Sequence, residues 1–158
     1  MKTLINHDSS LTLEEDDEGM IPLHLACLHG KLEAVWTHYL QLSLKKTSEA
    51  DKAHESLDSK LNSPLHHACR SGNKLVVECL IWIEMMRTAA ECLSSSDAQN
   101  DVGFSPLHVA VEGGFEDITD LLLDIKVSTE TLDDKRCTVL HIAAKYNHPR
   151  IIDLLIER

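Results

Sequence analysis

The chain has 158 residues, of which 43% are apolar and only 4% aromatic, so a buried interior must be filled by Leu, Ile, Val and Ala. With 26 acids against 15 bases the formal net charge is −11, which disfavours nucleic acid and anionic membranes and fits a basic or mixed protein partner. The five cysteines form no C-x-x-C pair, the usage of a reducing compartment.

Residues 1–15 hold no apolar core long enough for a signal peptide. With His24 laid on His141, Leu4-Ile5 fall on Leu121-Leu122, where a helix finishes, so this stretch reads as the end of a preceding unit or an N-terminal cap. The longest apolar run, Leu80-Ile81-Trp82-Ile83, is far too short to span a bilayer. A soluble, cytoplasmic chain is the expectation.

One phrase then occurs four times: Ile21-Pro22-Leu23-His24-Leu25-Ala26, Ser63-Pro64-Leu65-His66-His67-Ala68, Ser105-Pro106-Leu107-His108-Val109-Ala110 and Thr138-Val139-Leu140-His141-Ile142-Ala143. Pro22, Pro64 and Pro106 stand 42 residues apart, and Leu107 to Leu140 is 33. Recurrence at this period means stacked small units, about 16–57, 58–99, 100–132 and 133–158, within one domain over 1–158.

Inside each unit the reading is the same. Ser63, Ser105 or Thr138 caps a short helix whose first turn accepts Pro, because the missing N–H there costs nothing. Gly30, Gly72, Gly114 and Asn147 end that helix in the left-handed conformation they tolerate best. A second helix follows, apolar at i, i+3 and i+4, as at Ile118, Leu121 and Leu122. In the first two units this second helix is expected to be longer by a turn or two and to be followed by a longer loop, within 41–57 and 75–93.

These phrases resemble the T-P-L-H-x-A signature of ankyrin repeats, units of about 33 residues that each make a β-turn and two helices. The resemblance runs from about Asp16 to the C-terminus. It implies an all-α solenoid of stacked helix–turn–helix pairs with short β-turn or hairpin tips, in which the motif histidines bridge backbone groups of adjacent units. Gly19 and Gly103 fit the glycine usual four residues before the motif Leu; Leu61 and Arg136 depart from it, so those two turns are expected to differ.

No nucleophile arrangement, H-E-x-x-H pair or phosphate loop occurs, so neither catalysis nor a cofactor is expected. His66 and Cys69 have a spacing that can chelate zinc, but His66 is the motif histidine. His67, where the other units have Leu25, Val109 and Ile142, is expected to be partly exposed. The acidic run 14–18 lacks the ligand spacing of a calcium loop and reads as a solvated edge.

By the same resemblance, turn tips and first helices line a concave strip that binds a protein partner. Its candidate contacts are Asp17, Glu18, Met20 and His29 in the first unit and Asn62 and Arg70 in the second. The third contributes Asp101, Phe104 and Glu112, and the fourth Lys135, Lys145 and Tyr146. Met20, Arg70, Phe104 and Tyr146 carry most weight, as exposed apolar or Arg anchors with charges around them. Ankyrin-like arrays also occur in membrane channels, in multidomain enzymes and in effectors that bacteria deliver into host cells. The apolar last helix, Ile151 to Ile156, lacks the polar outer face of a terminal cap, so the chain is expected to be a segment of a longer protein, monomeric or weakly self-associating.

Overall fold

The computed structural model describes residues 13–44, 53, 55–87 and 96–158. These form eight α-helices and no strand: α1 (Pro22–Leu28), α2 (Leu32–Leu44), α3 (Pro64–Ser71), α4 (Lys74–Arg87), α5 (Pro106–Glu112), α6 (Glu116–Asp124), α7 (Val139–Lys145) and α8 (Pro149–Glu157). They make four helix pairs. The first helices, α1, α3, α5 and α7, pack in one row, and the second helices, α2, α4, α6 and α8, pack in another behind it.

Local sequence fixes where each first helix starts and stops. The hydroxyls of Ser63 and Ser105 accept the N–H of His66 and His108, while the Ser63 and Ser105 N–H groups donate back to Nδ1 of the same histidines. Each such cap contributes about 1 kcal/mol. The first unit has Ile21 at this place, so only the return bond from Ile21 N–H to His24 Nδ1 remains. At the other end Gly30, Gly72, Gly114 and Asn147 all have φ between 59° and 73°, as their residue types predict.

Packing closes the stack. Leu23 and Leu107 are fully buried, each contributing roughly 1.5–3 kcal/mol, and the small Ala68, Ala110 and Ala143 let neighbouring helices approach. From the second row, Val76, Leu80, Ile83, Ile118, Leu122 and Ile151 face inward, the buried sides of amphipathic helices. Helices α2 and α4 have 13 and 14 residues where α6 and α8 have 9, so about half of the extra length of the first two units enters their outer helices. Most of the residues expected to form the longer loops after α2 and α4, and residues 1–12 of the cap expected over 1–15, lie outside the described residues, whereas Ala53 and Glu55 are described and helical.

The tips share one design. Asp16, Asp58, Asn100 and Asp133, each eight residues before the motif histidine, accept the N–H of residues two and four further on at 2.7–3.1 Å. Ser59, Asp101 and Asp134 N–H then donate to the carbonyls of Glu18, Lys60 and Val102 in the preceding tip, at 2.9–3.2 Å. One backbone bond therefore joins each tip to the one before it.

The expectation of different turns at Leu61 and Arg136 is corrected by their φ values of 58° and 61°, the same left-handed state as Gly19 and Gly103. The Asp acceptor and the tip-to-tip bond hold the backbone there, at a steric cost of about 1–2 kcal/mol for a side chain. At Gly103 substitution would cost more, because an added Cβ would lie 2.7 Å from Asp134 N.

Candidate functional site

A groove of about 600 Å³ lies between the second, third and fourth units. Phe104, from the third tip, and Ile142 and Cys137, from the last unit, give it an apolar floor, with Val102 beside them. Phe104 is held by stacking on His108, centroids 5.4 Å apart, and its carbonyl accepts His66 Nε2–H at 2.8 Å. Tyr146, 40% exposed at the end of α7, forms a wall: its hydroxyl donates to Glu112 Oε1 at 2.7 Å and its ring stacks on His148. Lys145 Nζ lies 4.8 Å from the Tyr146 ring centre. Arg70, from the end of α3, and Lys135, from the fourth tip, complete the rim.

Six sequence-predicted contacts therefore meet in this groove: Arg70, Phe104, Glu112, Lys135, Lys145 and Tyr146. Glu18, Met20 and Asn62 line a smaller depression of about 100 Å³ beside Arg70. Asp17, His29 and Asp101 are exposed but line neither.

Two predicted contacts are not exposed, and this corrects the sequence reading. Met20, at 9% exposure, packs into the interior at the first tip. Asn62, at 2%, joins two tips: its Nδ2 donates to Asp58 and its Oδ1 accepts Asn100 Nδ2 at 2.9 Å.

His67 is the third correction, being 4% exposed rather than partly exposed. Its Nε2–H donates to Asp58 Oδ2 at 2.9 Å, and its ring meets His24 edge-on at 5.4 Å. Burial pushes the His67 pKa down despite the carboxylate. Burial would raise Asp58, but the bonds from Asn62, His67 and Lys60 N–H hold it below the usual carboxylate range. A neutral imidazole donating to a carboxylate is the resulting state near neutral pH.

Of the motif histidines, His66 bridges two units as the resemblance implies, through Phe104, while the His24 bond stays within 16–57. His24 Nε2–H reaches the Ser56 carbonyl at 3.0 Å, as His66 reaches Phe104. His108 faces the Cys137 carbonyl, but its Nε2 makes no bond of regular geometry. Burial pushes the Cys27, Cys69 and Cys79 thiols up, so none is a poised nucleophile. Among the described residues no three His, Cys, Asp or Glu side chains cluster for a metal, and no helix is long and apolar enough to cross a membrane. The tip acceptors Asp16, Asp58, Asn100 and Asp133 are not among the residues singled out from the sequence, although a short polar residue stands eight places before each motif histidine.

Residues 1–89 and 83–158 each match a family model described as ankyrin repeats (3 copies), and the chain belongs to the ankyrin-repeat family. It is similar to the transient receptor potential cation channel subfamily A member 1 of Drosophila melanogaster, 29% identical over 142 residues, 90% of this chain and 11% of that protein. The Homo sapiens channel of the same name is 27% identical over 147 residues, 93% of this chain and 12% of that protein. The nuclear factor NF-kappa-B p105 subunit of Rattus norvegicus is 32% identical over 80 residues, 47% of this chain and 8% of that protein. The chain spans between 8% and 12% of the length of these curated relatives.

Proposed function

We propose that residues 1–158 act as one non-enzymatic ankyrin domain that docks a protein partner through its concave face, in the cytoplasm. The observation that carries this reading is the convergence of Phe104 and Tyr146, an apolar anchor site, with Arg70, Glu112, Lys135 and Lys145 around it. Affinity capture from the native cell type, repeated with Phe104→Ala and Tyr146→Ala together, tests it. Loss of the captured partner supports the reading; undiminished capture by the folded double variant refutes the placement of the site.

A second reading concerns the setting. The small share of the relatives' length that the chain covers supports a targeting or regulatory segment of a larger protein, with a channel of the kind those relatives are named as one such setting. Sequencing the full reading frame decides it: a membrane-spanning run outside these residues fits a channel, whereas a frame confined to them rejects the larger protein.

A further inference from the structure

Cations on the two rows of helices are used differently. On the outer row they meet acids: Lys74 pairs with Glu78 at 3.8 Å, Arg150 with Glu116 at 3.6 Å, and Arg158 with Asp120 at 2.7 Å. In the groove, no carboxylate among the described residues pairs with Arg70, Lys135 or Lys145. Two of the groove's acids are already engaged. Glu112 accepts the Tyr146 hydroxyl, and buried Asp133 accepts two backbone N–H groups. Of the groove's acids only Asp134, exposed at the tip, has no bond to its carboxylate among the described residues.

Resting on the docking role above, we propose that this groove takes an acidic peptide segment, one apolar side chain on Phe104 and Tyr146 flanked by carboxylates held by Arg70, Lys135 and Lys145. Arg70 has its full fork of donors free for a bidentate carboxylate bond, and Lys145 is kept beside the groove wall by the Tyr146 ring. The chain's net charge of −11 does not oppose this. A short segment senses charges within about 8–10 Å, where the three cations balance Glu112, Asp133 and Asp134. Two of those three carboxylates are already taken up by hydrogen bonds, while the cations have no carboxylate partner among the described residues. A long polyanion such as nucleic acid would instead lie against the whole acidic chain.

Short random peptides displayed on phage, selected against the whole chain at physiological salt, test the proposal. The enriched sequences are expected to place Asp or Glu beside an apolar residue. Their synthetic forms should bind about tenfold or more weakly to a variant carrying Arg70→Glu, Lys135→Glu and Lys145→Glu, and a peptide with Lys in place of its acids should prefer that variant. All three positions are exposed, and a circular-dichroism melt checks that the variant folds. Enrichment of basic or uncharged peptides, or equal binding of acidic peptides to both forms, overturns the proposal. If the enriched peptides depend on Phe104 and Tyr146 but not on the three cations, the docking site stands and its acidic preference falls. If they depend on neither, or none enriches, both fall.

Discussion

The second and fourth units carry the same phrase with different surroundings. In each, the cap residue's N–H and hydroxyl both meet the histidine Nδ1: 3.2 and 2.8 Å at Ser63 and His66, 3.3 and 2.9 Å at Thr138 and His141. Yet Leu65 is 3% exposed and Leu140 41%, and His66 is buried where His141 is exposed. The motif thus specifies its own local geometry, and a neighbour on each side supplies the burial. Stability in such a stack is a sum of unit and junction contributions, so equal letters carry unequal energies.

The largest test of this contrast is Leu65→Ala against Leu140→Ala. The first removes buried atoms between two neighbours and should lower unfolding free energy by about 2–5 kcal/mol; the second should cost under about 1 kcal/mol. Urea unfolding reads both, and similar losses would break the comparison.

A pH titration sharpens it. Burial lowers the His66 pKa from 6.5 to about 4, so the unfolded chain takes up a proton that the folded unit does not. Stability that His66 provides is complete above pH 6.5 and declines as pH falls toward 4, with a slope of up to about 1.4 kcal/mol per pH unit. His66→Gln should flatten the profile of stability against pH in that window; an unchanged slope would remove the linkage.

The smallest effect should be alike in both units. Leu61→Gly and Arg136→Gly relieve the left-handed strain but loosen the unfolded chain, for a net gain of about 0.5 kcal/mol each. Thermal melts check it, and a loss at either site would show that its side chain contributes contacts worth more than the strain.

The repeat, the helix starts and the left-handed helix ends were legible in the sequence because each rests on bonds within a few residues. What depended on a neighbouring tip was not. His67 looked out of place among Leu25, Val109 and Ile142 because its partner, Asp58, is recruited from a different turn. Asn62 read as a surface contact, although its amide spans two tips. Met20 was placed outside by its register, while packing drew it in. The left-handed state of Leu61 and Arg136 was likewise hidden, since residue type argued against it and the Asp58 and Asp133 carboxylates held it in place. That six of the expected contacts would lie close together follows from the resemblance; that no carboxylate among the described residues pairs with Arg70, Lys135 or Lys145 does not.

Helix α7 ends at Lys145, with Tyr146 directly after it, and among the described first helices it packs chiefly against α5. One wall of the groove thus belongs to the fourth pair, and the rest of it to the second and third units. Whatever fills the groove ties that pair to the third unit through Tyr146 and Glu112. Occupancy and cohesion of the last pair are then a single thermodynamic quantity: a ligand at a hundred times its Kd would raise the unfolding free energy by about 2.7 kcal/mol.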